Sequence, residues 1–217
     1  DAGRLALGRI MPLDDIRFAL SAPTFGALPE DAGREVVFAG RSNAGKSSAI
    51  NAVFNRRGLA RVSRQPGRTQ AFNVFEIDPE RRLVDLPGYG YAAVPDRVKR
   101  RWADEIPRYF AERRALSGIV VVMDLRHPFR TIDGEFLALA RPDTPLAVIL
   151  TKSDKLSRGQ RAKQIARARR EAVAFGVAAD QIIGFSAESR EGVPAVRALL
   201  ETWLALPGSA AGGDGSA

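Results

Sequence analysis

A run of nine residues, Gly40, Arg41, Ser42, Asn43, Ala44, Gly45, Lys46, Ser47 and Ser48, carries the spacing G-x-x-x-x-G-K-[ST]. Glycines in that pattern let the backbone wrap an anion, with successive N–H groups turned toward phosphate oxygens. The Lys46 ammonium would reach the outer phosphates, and the Ser47 hydroxyl is a hard oxygen ligand suited to Mg²⁺. A glycine-rich turn that merely joins a strand to a helix is the bland alternative, and it has no use for Lys46 or Ser47.

Two further groups follow at wide spacing. Asp85-Leu86-Pro87-Gly88 forms a D-x-x-G arrangement after an apolar run. There Asp85 would hold Mg²⁺ through water, and the Gly88 amide would sense a terminal phosphate. Taken alone this is weak, since an Asp before a Pro-Gly turn is common; after the phosphate loop it gains meaning. Thr69 lies in the stretch between these groups and could complete the metal shell. Thr151-Lys152-Ser153-Asp154 has the form [NT]-K-x-D. A carboxylate at Asp154 accepts hydrogen bonds from the ring N–H and exocyclic amine of guanine, whereas adenine offers no matching donors. Lys152 can lie along the base with its methylene stem, and Thr151 can tie this loop to the phosphate loop. Backbone amides of Phe185-Ser186-Ala187 stand where the guanine carbonyl could be read, because open α/β sheets bind ligands beyond the carboxyl ends of their strands.

Positioning these groups requires a regular frame, and the hydrophobic pattern supplies one. Strands are predicted at Glu35–Ala39, Phe72–Ile77, Leu83–Leu86, Gly118–Asp124, Leu146–Leu150 and Ile182–Phe185, several of them continuous apolar runs of the kind buried on both sheet faces. Helices are predicted at Lys46–Phe54, Arg97–Arg114, Asp133–Ala140, Gln160–Phe175 and Val193–Leu206. Pro107 should kink or divide the second, and the fourth opens with Ser157 and Gln160 at capping-box spacing and stops at Gly176. The alternation implies an α/β domain with a mostly parallel six-stranded sheet covered on both faces. Only five residues separate Phe72–Ile77 from Leu83–Leu86, so those two should form an antiparallel hairpin at the sheet edge. Residues 1–34 read as a peripheral extension with one short amphipathic stretch, Ile16–Ser21; 35–206 as the domain; and the Gly- and Ala-rich 207–217 as a disordered tail.

The ordered set resembles a small GTPase domain, and at closer range the EngB (YihA/YsxC) family of bacterial GTPases. GRSNAGKSS, GRTQ at Gly67–Gln70, DLPGYGYA at Asp85–Ala92, DLRHP at Asp124–Pro128 and TKSDK at Thr151–Lys155 carry that similarity, which spans Glu35 to about Leu206. The resemblance implies a three-layer, Ras-like P-loop fold, with Ser47 and Thr69 as direct Mg²⁺ ligands. It also implies that Gly40–Ser48, Gly67, Arg68, Thr69, Gln70, Ala71, Asp85–Gly88, Thr151–Asp154 and Phe185–Ala187 surround GTP. The implied role is GTP hydrolysis as a switch in assembly of the large ribosomal subunit, with a need for the protein in normal division and septation. Lys46, Thr69, Gly88 and Asn43 are the residues expected to act on the reacting phosphate. Tyr89 stands where Ras-type enzymes carry a water-orienting Gln, so intrinsic hydrolysis should be slow. Asn43 either suits a tight loop because Asn tolerates left-handed backbone or is similar to the potassium-coordinating Asn of related GTPases. The single histidine, His127, reads as structural rather than catalytic, and Tyr89 and Tyr91 as packing or partner-contact residues.

Composition narrows the rest. The 217 residues hold 33 Lys and Arg against 25 Asp and Glu, a formal charge of +8, with no Cys. Disulfide scaffolds and thiol catalysis are excluded, and a reducing cytoplasm fits. The chain opens on Asp1 rather than Met, which suggests a trimmed start. No apolar run is long enough to span a bilayer. Positive charge is clustered: five arginines and no acid in 55–70, seven basic residues and no acid in 155–170, and Arg97, Lys99, Arg100 and Arg101. Solvated helix faces are often charged, but three clusters favour a polyanionic partner such as ribosomal RNA. A monomer is expected. Two other readings stay open: a P-loop small-molecule kinase, against which T-K-x-D argues, and an RNA-binding module with a vestigial nucleotide site, against which Lys46, Ser47, Asp85 and Asp154 argue.

Overall fold

The computed structural model describes residues 13–61, 71–90 and 95–205. Among them seven strands form one sheet: β1 (Arg17–Ala22), β2 (Arg34–Gly40), β3 (Phe72–Asp78), β4 (Arg81–Asp85), β5 (Leu116–Asp124), β6 (Leu146–Thr151) and β7 (Ile182–Gly184), in the order β1-β3-β4-β2-β5-β6-β7. The α-helices are α1 (Lys46–Val53), α2 (Asp96–Glu112), α3 (Thr131–Leu137), α4 (Arg158–Ala172) and α5 (Val193–Trp203).

Alternation along the central strands explains why their sequences are apolar without a break. Val36 and Phe38 of β2, with Val120 and Val122 of β5, face a core shared with α1 and α5. Their neighbours Val37, Ala39, Val121 and Met123 face a second core shared with α2, α3 and α4. Each central strand is thus buried on both sides, as parallel strands in α/β proteins are. The result is three layers, with loop-forming residues gathered beyond the strand ends.

Four expectations are corrected: the number of strands, the place of the antiparallel strand, the division at Pro107 and the start of α3. The sheet has seven strands rather than six, because Arg17–Ala22 pairs antiparallel with β3. Consequently β3, the one strand running against the others, lies second from the edge rather than at it. Only Ala22 of β1 is fully buried, and Phe18 is 54% exposed, so the apolar pattern of a core strand is absent. Leu13 and Ile16, just before it, anchor the segment in the α1 side of the core, while Ser21 Oγ donates to Asn73 Oδ1 at 2.6 Å. Of the two outcomes expected at Pro107, division does not occur: helix α2 continues through it. The carbonyl that this proline leaves without its helical donor belongs to Ala103, which is exposed to water. Helix α3 begins two residues before Asp133, since the Asp133 carboxylate accepts from the Arg130 amide at 2.9 Å and caps the first turn. The capping box of Ser157 and Gln160 and the left-handed stop at Gly176 (φ 72) are present as read. The tail from 207 onward lies outside the described residues. No described helix is long and apolar enough to cross a membrane.

Candidate functional site

Strand β2 runs into the phosphate loop at Gly40, where a Cβ would come within 2.5 Å of the Val122 carbonyl oxygen. Only glycine lets the chain leave the sheet that close to β5. Asn43 (φ 63) and Gly45 (φ 92) then take left-handed backbone, the kind of turn that makes an anion-binding concavity of main-chain amides. The left-handed backbone that one reading of Asn43 required is therefore in place. Lys46 opens α1, whose N-terminal end carries the positive pole of the helix dipole. Its Nζ forms an ion pair with Asp85 at the end of β4, both side chains being almost wholly buried. Ser47 and Ser48 are half-buried in the first turn.

No cluster of three His, Asp or Glu that could hold an ion by itself occurs among the described residues. Among the described residues the donors available, the Ser47 hydroxyl and the Asp85 carboxylate, are hard oxygens too few for an all-protein cage. That set suits Mg²⁺, which favours one or two protein oxygens completed by phosphate and water. Gly67, Arg68, Thr69 and Gln70 lie outside the described residues, and Ala71 stands half-buried directly before β3.

The second loop is bound to the first. Thr151 Oγ1 lies between the carbonyls of Ala44 and Met123, the latter at 3.0 Å, and Lys152, itself left-handed (φ 62), donates to the Asn43 carbonyl at 2.7 Å. Asp154 Oδ1 accepts from Ser186 Oγ at 2.8 Å, and Asp154 Oδ2 pairs with Lys155 at 3.0 Å. Partial burial raises the Asp154 pKa, but the bonds from Lys155 and Ser186 outweigh it and hold the carboxyl below its ordinary value. Ser186 is buried and also accepts from the amides of Glu188 and Ser189 at 3.2 and 3.0 Å. Phe185 is tied in by its amide to the Leu150 carbonyl at 2.8 Å and by its carbonyl to the Ser153 amide at 3.2 Å, with Ala187 half-buried beyond. The geometry thus joins the phosphate-loop, T-K-x-D and Ser-Ala residues in one cluster, with Asp85 attached through Lys46.

Other contributors are not among the expected site residues. Asp124 closes β5 and holds Lys152 at 2.9 Å; burial works against its charge, yet Arg126 and Lys152 keep its carboxyl far below the usual range. Glu191 receives both Ser153 Oγ at 2.7 Å and Arg161 at 2.6 Å. Asp124 heads the DLRHP motif and ends a strand on the ligand side, two signals that could have flagged it. In the D-x-x-G turn, Leu86 is buried and its amide bonds the Phe38 carbonyl at 3.0 Å. Pro87 is buried as well, and Gly88 lies against Ser42, whose Oγ a Cβ would meet at 2.8 Å. Tyr89 packs inward, as read, whereas Tyr91 lies outside the described residues. His127 is exposed and serves through its carbonyl, which accepts from Arg41 at 2.6 Å.

Comparison with known proteins agrees with this geometry. The model of a family described as 50S ribosome-binding GTPase matches residues 35–152. A probable GTP-binding protein EngB of Pasteurella multocida (strain Pm70) is 47% identical over 189 residues, covering 87% of this chain and 92% of the relative. A second, of Xylella fastidiosa (strain 9a5c), is 48% identical over 196 residues, covering 90% and 97%. Among solved structures, that of a probable GTP-binding protein engB superposes with a TM-score of 0.62 at 24% identity, covering 79% of this chain and 98% of that one. Era in complex with MgGDPNP and a segment of 16S ribosomal RNA shares the fold at a TM-score of 0.58 and 19% identity, covering 81% and 57%. With the phosphate loop and the T-K-x-D loop joined in one site and these relatives alongside, the chain belongs to the EngB family of GTP-binding proteins, within the 50S ribosome-binding GTPases.

Proposed function

We propose that the protein hydrolyses GTP to GDP as a conformational switch in assembly of the large ribosomal subunit, and that normal cell division and septation depend on it. The observation that carries this reading is the lacing of Asp154 to the phosphate loop. Ser186 and Lys155 orient its carboxylate, and Thr151 and Lys152 tie its loop to Ala44 and Asn43. A base recognised at Asp154 therefore has its phosphates delivered to Lys46 at a fixed distance, which converts guanine recognition into phosphate positioning. A small-molecule kinase has no need of this coupling, and a vestigial site would have no reason to keep Lys46 buried against Asp85.

Lys46 and the loop amides would hold the outer phosphates, and the Gly88 amide would sense the terminal one. Ser47 and Thr69 would ligate Mg²⁺ and Asp85 would reach it through water; when bound, the ion offsets the charge that grows on the phosphate oxygens. Tyr89 cannot replace the glutamine that orients water in Ras-type enzymes, so the free protein turns over slowly and the ribosomal subunit accelerates it. A monovalent cation beside Asn43 would supply positive charge next to the phosphates. Hydrolysis of GTP and ATP with and without large ribosomal subunits tests the reading. GTP-specific turnover stimulated by the subunit is expected, and equal use of ATP or indifference to the subunit overturns it. Turnover faster in potassium than in sodium, with the difference lost in Asn43→Ala, is expected of the cation; equal rates in both salts would remove it.

A further inference from the structure

Tyr89 is fully committed away from the phosphate side. Its ring stacks on Phe136 with centroids 4.6 Å apart and planes 11° apart, and its hydroxyl donates to Asp133 Oδ1 at 2.9 Å. The same oxygen accepts from Nε of Arg41 at 3.1 Å, and Asp133 has no exposed surface. Arg41 belongs to the phosphate loop, Tyr89 to the turn after β4, and Asp133 to the first turn of α3. On the opposite side the main chain closes the same joint: the Ser42 amide donates to the Tyr89 carbonyl at 3.1 Å, and the Tyr89 amide donates to the Gly40 carbonyl at 3.3 Å. Gly90 (φ 72) completes it, since a Cβ there would stand 3.2 Å from Ile132 Cδ1 on α3.

A carboxylate buried this completely is tolerated only while its donors stay in place. Arg41 and Tyr89 are its side-chain donors, both on Oδ1, while the Arg130 amide caps α3 on Oδ2, so the positions of Arg41 and Tyr89 are fixed together. We infer that Asp133 is a positioning residue for the nucleotide switch: acting through Arg41 and Tyr89, it clamps the D-x-x-G turn to the phosphate loop and holds the Gly88 amide ready for a terminal phosphate. The inference rests on the reading that the site takes GTP. Preorganisation lowers the ordering cost of binding, and only a ligand that touches the ordered turn gains from it. GTP reaches Gly88 through its third phosphate, whereas GDP does not. The clamp therefore sets the ratio of GTP to GDP affinity rather than affinity in general.

The test is binding of GDP and of a non-hydrolysable GTP analogue, with magnesium, to the full chain and to Tyr89→Phe and Asp133→Asn. Tyr89→Phe keeps the ring on Phe136 and removes only the hydroxyl. Affinity for the analogue should fall about fivefold or more in Tyr89→Phe, the loss of one hydrogen bond to a charged group, and further in Asp133→Asn. Affinity for GDP should stay within about twofold in Tyr89→Phe. An unchanged ratio, an equal loss for both nucleotides or a gain for the analogue overturns the clamp. If Asp133→Asn does not fold, Tyr89→Phe decides alone. A wild-type protein that bound adenine nucleotides as well as guanine ones would instead sink the proposed function and the clamp with it, whereas guanine selectivity with an unmoved ratio sinks only the clamp.

Discussion

The two ends of strand β2 place buried charge to opposite purposes. At its start, Glu35 has no exposed surface and is answered entirely by the protein. Arg113 approaches at 2.8 Å, Arg82 at 3.3 Å, and the Tyr109 hydroxyl donates to it. Burial and the neighbouring Glu35 push the Tyr109 pKa well up, so the hydroxyl stays a neutral donor. This end fastens α2 to the sheet and gives a ligand nothing to do. At the other end, Gly40 releases the chain into a loop of left-handed turns, and among the described residues Lys46 meets one carboxylate, Asp85. Charge saturated by fixed partners builds a frame, and charge matched by a single partner beside a concave run of amides builds a site.

The sharpest way to test that contrast is to remove the Asp154 carboxylate, proposed to read the base. Two charge-assisted hydrogen bonds are worth about 1.5–3 kcal/mol each, so Asp154→Asn should weaken GTP by at least about 100-fold and favour xanthosine triphosphate, whose 2-oxo group accepts from the new amide. Titration calorimetry with both nucleotides would show it, and wild-type GTP affinity in the variant would remove Asp154 from the site. The fold should survive with a urea midpoint only slightly lowered, since the charge pairs with a half-exposed Lys155.

At the framing end the pattern should reverse. Glu35→Ala takes from Arg113 and Arg82 their shared buried carboxylate, leaving them loop carbonyls and, for Arg113, Asp31 at 3.7 Å; breaking a buried pair costs about 3–5 kcal/mol. Urea unfolding should register that loss, while the protein still folded binds GTP within about threefold of wild type. A variant that lost nucleotide selectivity before stability would show that the two ends are not independent.

A third and smaller effect concerns the basic surface after α1. Arg57 and Arg61 are exposed, whereas the Arg56 guanidinium is already committed to the Ile16 carbonyl at 2.5 Å and braces the segment before β1. Replacing Arg57 and Arg61 by Ala should flatten the salt dependence of large-subunit binding by about 0.7–0.9 in slope per phosphate contact, with GTP affinity of the free protein unchanged. The same slope in variant and wild type would return both to ordinary solvated charge.

The smallest expected effect is that of mild acid. Asp31, Asp124 and Asp154 all have carboxyl pKa values lowered in the folded chain. Groups of that kind contribute stability above their unfolded value of about 3.9 and lose it as pH falls through the folded value. Thermal midpoints should therefore be nearly level from pH 8 to 5 and drop below about pH 4. A steep decline already between pH 7 and 5 would contradict the lowered values.

What the sequence determined by itself was everything carried by contiguous residues: the phosphate loop, the D-x-x-G turn, the T-K-x-D loop, the Ser157 cap, and the central strands whose unbroken apolar runs admit no surface position. Each depends on local backbone geometry or on a two-sided core, and both leave a mark within a few residues. The tertiary structure alone decided the seventh strand, whose amphipathic stretch looks the same in a surface segment as at a sheet edge. It also decided the joints at Glu35, Glu191 and Asp133. Arg41 and Asp133 stand 92 positions apart, and Tyr89 and Asp133 stand 44 apart. No local pattern links such residues, because a buried carboxylate finds its donors only after strands and helices have stacked, and the chain records that meeting nowhere along its length.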